Sequence, residues 1–175
     1  MNAVGYPQRG VTLIELLFAI AILAILLGIG APSFMTLIRD NRVTTSNNDL
    51  VSSFAIARNE SSHRGLPVAV CASADAESCS GEADWATGWI VFVDDDTGTA
   101  GEVDEEDEIL QTTPALPENF TLQASEPFVR FFPNGLTTPA GEKAFALQDG
   151  EHTDHVRCVT VSAIGRVATA REICE

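Results

Sequence analysis

From Val11 to Ile38 this chain carries a single charged side chain, Glu15, and from Leu16 to Ala31 it contains only aliphatics, Phe18, alanines and two glycines. So long an apolar run narrows the choice of folds. About 20 such residues suffice to cross a bilayer as a helix, and a helix that is apolar on every side is buried in lipid or in protein. The run begins abruptly after Arg9-Gly10, at the end of a short polar leader. An ordinary secretory signal would place its cleavage site after the apolar run, and no clear Ala-x-Ala site precedes a mature domain here. Glu15 is left at the edge of the run, where an ionisable group costs free energy: about 2.5 to 3.5 kcal/mol at a helix centre and less near an end. A carboxylate there calls for a cationic partner, because in low dielectric the two charges attract strongly and each offsets the other's desolvation.

The helical pattern resumes after Pro32, with Leu37, Val43, Leu50, Phe54 and Ala57 spaced along one stripe, and Gly65-Leu66-Pro67 ends it. The spacing predicts one helix from Val11 to about Arg64, near 75 Å long at 1.5 Å per residue, with residues 11 to about 33 in lipid. Thr44-Thr45-Ser46-Asn47-Asn48-Asp49 is too polar to span and needs a folded domain or solvent against it. Pro32, with Gly28 and Gly30 beside it, removes a backbone hydrogen bond and marks a place where the helix can kink.

Beyond Gly65 the pattern turns to alternation punctuated by turn residues. Residues 66–72, 88–93, 108–112, 120–123, 128–132, 143–147 and 156–164 read as strands, with 166–173 pairing back as the last. Asp94-Asp95-Asp96-Thr97-Gly98, Pro133-Asn134-Gly135 and Gln148-Asp149-Gly150 read as turns. The fold class is therefore α+β: a long helix whose apolar stripe covers a sheet face of an antiparallel β domain spanning 65–175.

The formal charge is -15, and Lys143 is the sole lysine. A surface so acidic repels nucleic acid at long range. Cys71, Cys79, Cys158 and Cys174 all follow the apolar segment, and four cysteines allow three connectivities. Pairing Cys71 with Cys79 and Cys158 with Cys174 closes two short local loops. Zinc is the rival reading, although Cys-x-x-Cys spacing is absent. The stretch from Asp94 to Glu108 holds nine carboxylates but lacks EF-hand spacing, so a solvated hairpin loop is expected there rather than a calcium site. Glu151-His152-Thr153-Asp154-His155 offers too few ligands for a metal, and His63 falls where a cation favours a helix C-terminus. No nucleophile elbow, phosphate-binding glycine loop or His-Glu-x-x-His occurs, so neither an enzyme nor a cofactor or metal site is expected.

The junction Gly10-Val11-Thr12-Leu13-Ile14-Glu15 resembles the class III signal of type IV pilins and type II secretion pseudopilins, with Val11 where the family usually has Phe. The resemblance implies cleavage after Gly10 by a prepilin peptidase, N-methylation at Val11, and a filament in which Glu15 faces the terminal ammonium of a neighbouring subunit. It also implies partners: other minor pilins or pseudopilins, the major subunit and the assembly platform of the bacterial inner membrane. The chain would cross that membrane once, with its β domain in the periplasm, before joining a filament tip. A proline at the place of Pro32 is common to pilins, whose filaments often unwind there.

Trp85-Ala-Thr-Gly-Trp89-Ile-Val-Phe-Val-Asp94, then Ile109-Leu110, Phe131-Phe132-Pro133-Asn134-Gly135 and Val161-Ser162-Ala163-Ile164-Gly165-Arg166, are similar to the GspH/FimT/FimU group of minor pilins and pseudopilins. Three functions follow from that likeness: priming or capping a type IV pilus, serving a type II secretion pseudopilus, and capturing DNA at a tip. The DNA-binding branch carries Gly-Arg-x-Arg, whereas this chain has Gly165-Arg166-Val167-Ala168, leaving Arg166 and Arg171 as the candidate phosphate contacts. Affinity for DNA follows the number of phosphates neutralised, and one or two contacts give little. Arg166 is expected instead to pair with a carboxylate or to cap the final hairpin.

Overall fold

The structure, a computed structural model, describes residues 12–95, 99–105, 107–150 and 152–174; the side chains of residues 29–33 and 152–155 lie outside that description. One helix, α1 (Leu13–Arg64), precedes nine strands: β1 (Val68–Ala72), β2 (Trp89–Val93), β3 (Ile109–Thr113), β4 (Phe120–Ala124), β5 (Phe128–Phe131), β6 (Thr137–Thr138), β7 (Lys143–Asp149), β8 (His152–Val161) and β9 (Val167–Ala170). The chain divides into two compact units, Met1–Ile38 and Arg39–Glu175, and α1 contributes to both.

In the first unit the described apolar side chains of α1 are exposed on every side, from Leu13 at 77% to Phe34 at 62%. Leu37, expected on the buried stripe, is likewise exposed and belongs to this unit. Among the described residues no helix is long and apolar enough to cross a membrane. The fully described apolar stretch, 13–28, stops short of the side chains of 29–33, through which the sequence runs on without charge. α1 is helical through Gly28, Gly30 and Pro32. The side chain of Pro32, and with it the expected kink, lies outside the described residues.

In the second unit Val43, Leu50, Phe54 and Ala57 form the buried stripe. Ser46, Asn47, Ser53 and Ser61 alternate with those residues and are also buried, which the spacing of apolar residues does not announce. Small hydroxyls let a strand approach the helix closely and then bond it. Ser53 Oγ donates to Asp49 O at 2.9 Å and accepts from Trp89 Nε1 at 2.9 Å, while Ser61 Oγ donates to Phe131 O at 2.9 Å. At its end, Gly65 N–H bonds Ser61 O at 3.0 Å, closing the last turn before Pro67.

The strands form two antiparallel sheets rather than the single face expected. One has the order β3-β2-β1-β5-β6 and the other β4-β7-β8-β9. Phe54 sits between them, with ring centroids 6.2 Å from Phe131 of the first sheet and 4.9 Å from Phe145 of the second. Trp85 closes the cluster, edge-on to Phe145 at 4.9 Å. β7 alternates strictly, with Lys143, Phe145, Leu147 and Asp149 buried. β1 and β2 are buried on both faces because Cys79, Val103, Ile109 and Phe128 cover the side away from the helix, against Ala69, Cys71, Ile90 and Phe92.

Two strand edges differ from those expected from the turn residues. β7 runs on through Gln148 and Asp149, so the turn begins only at Gly150, whose N–H bonds Asn119 O at 2.6 Å. β8 begins at His152 and stops at Val161, because Ser162 to Arg166 form a turn around Gly165 at φ +69°. The two-residue β6 was not expected from the sequence. Disulfides join Cys71 to Cys79 and Cys158 to Cys174, the two short-loop pairings.

Candidate functional site

Gly10 and Val11, the implied cleavage and methylation positions, lie outside the described residues. Description begins at Thr12, which caps α1: its carbonyl accepts the first helical bond from Leu16 N–H at 3.1 Å, and its Oγ1 accepts from Glu15 N–H at 3.3 Å. Thr12 and Glu15 thus have the threonine-x-x-glutamate spacing of a capping box. Glu15 lies in the first turn, where a negative charge is favoured by the helix dipole, and it is exposed among apolar neighbours. The helix end accounts for an acid at this position without a partner, and the exposure leaves its carboxylate able to meet a cation from another molecule.

The second unit brings together the segments that the sequence singled out far apart. Thr137 N–H bonds Ala163 O at 2.9 Å and Thr137 Oγ1 donates to Ser162 O at 3.0 Å, which docks the Pro133-Asn134-Gly135 turn onto the Ser162 to Arg166 turn. Arg58 on α1 donates to Gly165 O at 3.0 Å. A Cβ on Gly165 would lie 2.7 Å from Gly135 O, so glycine is required there by contact as well as by backbone conformation. Arg166 therefore does not cap the hairpin with its side chain. Its backbone N–H closes the turn onto Ser162 Oγ at 3.1 Å, its side chain is exposed, and among the described residues it makes no ion pair with a carboxylate. Arg171 is likewise exposed.

Arg130, Asp94 and Lys143 are buried charged residues not expected from the sequence. Arg130 Nη2 lies 3.0 Å from Asp94 Oδ1 and donates to Asp94 O at 2.9 Å, and both residues are 5% exposed. Gly101 N–H donates to Asp94 Oδ2 at 2.9 Å, and the guanidinium stacks 5.3 Å from the Phe132 ring centroid. Asp94, read as the first residue of a solvated loop, is thus the buried anchor of that loop. Lys143 is 1% exposed and donates to Thr137 Oγ1 at 2.6 Å and to Gly141 O at 3.0 Å. Burial pushes its ammonium below the usual lysine range, against a smaller opposing pull from Glu126. An unbroken strand alternation placing Lys143 in phase with Phe145 and Leu147 was the available signal for its burial.

At the surface, Arg64 bonds Glu60 at 2.7 Å and Glu108, tying the helix end to the acidic loop and holding the guanidinium firmly charged. Asp75 organises the Cys71 to Cys79 loop: hydrogen bonds from the Ser78 hydroxyl and from the backbone N–H groups of Glu77 and Ser78 hold its carboxyl well below the usual range. Among the described residues no group of three His, Cys, Asp or Glu side chains could hold a metal. The side chains of His152 and His155 lie outside the description.

The Type II transport protein GspH family matches residues 46–165, and the prokaryotic N-terminal methylation motif matches residues 6–31. No curated protein sequence matches the chain. Among solved structures, the type IV minor pilin FimU of Pseudomonas aeruginosa is similar at 20% identity and a TM-score of 0.59, covering 74% of this chain and 89% of its own. The minor pseudopilin EpsH of the Vibrio cholerae type 2 secretion system is similar at 13% identity and a TM-score of 0.52, covering 74% and 96%. With the family match spanning most of the chain and the methylation motif lying over the start of α1, the chain belongs to the GspH family of pilin-like subunits.

Proposed function

We propose that this protein is a minor subunit that primes or caps the assembly of a type IV pilus. In this reading a prepilin peptidase cuts after Gly10 and methylates Val11, and the chain waits in the inner membrane as a single-pass protein with its β domain in the periplasm. It then enters the filament tip beside other minor pilins. The observation that carries the reading is the first half of α1: its described side chains are apolar and exposed on every side, with one acid held in its first turn. Such a surface is suited to lipid first and to a bundle of like helices afterwards, with Glu15 opposite a neighbour's terminal ammonium to set register. The fold is equally that of a pseudopilin of a type II secretion system, as its likeness to EpsH indicates.

The test is the filament yield sheared from cells lacking the protein. Loss of filaments while the major subunit persists in the membrane is expected; parental yield would remove the priming role and make protein secretion the next assay. Glu15→Ala is expected to keep membrane insertion and lose incorporation into sheared filaments, and normal incorporation would refute the role given to Glu15. Gly10→Leu should retain the leader, which the mass of the purified chain reads directly.

A further inference from the structure

Of the chain's asparagines only Asn134 is followed by glycine. Such a pair can react with itself, because glycine has no Cβ to keep its nitrogen away from the preceding side chain. Gly135 N attacks Asn134 Cγ and closes a succinimide ring, the Cγ–Nδ2 bond breaks, and ammonia leaves with the proton that Gly135 N gives up. Water then opens the ring at either carbonyl, leaving aspartate or isoaspartate. In isoaspartate the main chain runs through the side-chain carbon and is longer by one carbon. Asn134 is exposed, so water reaches it.

The fold ties down both reacting groups. Gly135 N–H donates to Phe132 O at 2.9 Å and Leu136 N–H donates to Asn134 Oδ1 at 3.0 Å, so nucleophile and carboxamide are each held by a different neighbour. Attack requires the nitrogen to leave Phe132 O and turn its face to Cγ, and the rate follows how often the two atoms come within about 3–3.5 Å in that alignment. Phe132 N–H donates back to Leu136 O at 2.9 Å, which stiffens the turn. Thr137, just beyond, is clamped: its N–H bonds Ala163 O at 2.9 Å, its Oγ1 donates to Ser162 O at 3.0 Å, and the same oxygen accepts from the buried Lys143 Nζ at 2.6 Å. Opening of the turn is therefore governed by the docking of β6 on the Ser162 to Arg166 turn.

The two products act differently on that docking. Aspartate keeps the backbone and adds a carboxylate where a cation already lies, since Arg58 Nη2 is 3.8 Å from the position that a Cβ on Gly135 would take. Isoaspartate instead displaces Gly135, whose carbonyl oxygen lies so close to Gly165 that a Cβ there would approach it to 2.7 Å. A seat without room for a methyl group has none for an added main-chain carbon. We propose that Asn134-Gly135 is a self-modification site timed by the opening of its turn, and that conversion to isoaspartate is a one-way release of β6 and Leu136 from the Ser162 to Arg166 turn. The substrate is the chain's own carboxamide, the co-reactant is water, and the chemistry is the same whichever filament the chain joins.

The full chain in detergent micelles is held in mildly alkaline buffer at physiological temperature, sampled over weeks, digested and weighed by mass spectrometry, with isoaspartate read by its enzymatic methylation. Conversion at Asn134 should outpace that at every other asparagine about tenfold, and the same chain unfolded in urea should convert at least about tenfold faster than the folded one. Thr137→Val removes the hydroxyl of the clamp and should fall between the two; a wild-type rate in that folded variant would overturn the clamp. Should the variant fail to fold, the folded and unfolded wild-type rates decide instead. Equal rates in the two states would overturn control by the turn, and a folded chain still intact at Asn134 when the unfolded chain is fully converted would overturn the site. The isoaspartyl form, separated by ion exchange, should exchange the Thr137 amide hydrogen about tenfold faster than the unmodified chain, whereas Asn134→Asp should keep wild-type protection. Protection retained in the isoaspartyl form, or lost equally in Asn134→Asp, would overturn the one-way release.

Discussion

Replacing Arg130 with methionine removes one member of a buried ion pair while filling much of the same space. Asp94 keeps the Gly101 N–H at 2.9 Å but loses the guanidinium 3.0 Å away. At an effective dielectric near 20, unit charges about 4 Å apart interact by roughly 4 kcal/mol, and leaving one charge of a buried pair uncompensated costs about 3–5 kcal/mol. Asp94→Asn should cost less, about 1–3 kcal/mol, because the Arg130 guanidinium retains Asp94 O at 2.9 Å and the face of Phe132. Trp85 and Trp89 are fully buried, so urea unfolding of the full chain in mild detergent is visible in their fluorescence. With a slope of about 2 kcal/mol per molar urea, Arg130→Met should lower the midpoint by about 2 M. The double variant should recover part of that loss, giving a coupling of at least about 1.5 kcal/mol. A cost below about 1 kcal/mol for Arg130→Met, or strict additivity in the double variant, would refute the pair as an anchor of the acidic loop.

Phe54→Ala vacates the contact between both sheets and Trp85, and should cost about 3–5 kcal/mol, read as a lower urea midpoint with unchanged circular dichroism in the native baseline. Removing the Cys158 to Cys174 link by serine at both positions frees a loop whose closure is worth about 3 kcal/mol, measurable against the wild type under non-reducing conditions. Burial lowers the Lys143 pKa below its usual 10.5. Between the lowered folded value and the unfolded one the folded state gives up its proton first, so stability contributed by this site rises with pH across that window. Relative to Lys143→Met, the wild type should gain stability as pH approaches 10.5; a flat or falling difference would show that Lys143 is not buried as a charge.

The helix, its C-terminal stop at Gly65 and most strands were legible because spacing alone announces them: Val43, Leu50, Phe54 and Ala57 share a face, and Phe145 and Leu147 alternate. What the sequence concealed was the use of polar groups inside. Ser53 and Ser61 look like surface residues until a strand comes close enough to bond them, and Asp94 looks like loop charge until Arg130 is placed beside it. Leu37 illustrates the opposite limit, since its apolar character fits equally well on a buried stripe and on the exposed run of the first unit. Arg166 was recognisable as part of a motif, yet its backbone rather than its side chain closes the turn. The single covered face expected of the β domain became two sheets because strand pairing order is set by long-range contacts that local patterns do not encode.

The bond from Arg58 to Gly165 spans 107 residues. During synthesis the helix emerges first, and at about 5–20 residues per second its last partner follows some 5–20 seconds later. For that interval the stripe of Val43, Leu50 and Phe54 has no finished surface to cover it. Completion of the domain is therefore timed by the ribosome rather than by the helix, and a chain stalled before Gly165 would present an apolar stripe to whatever chaperone or neighbour is at hand.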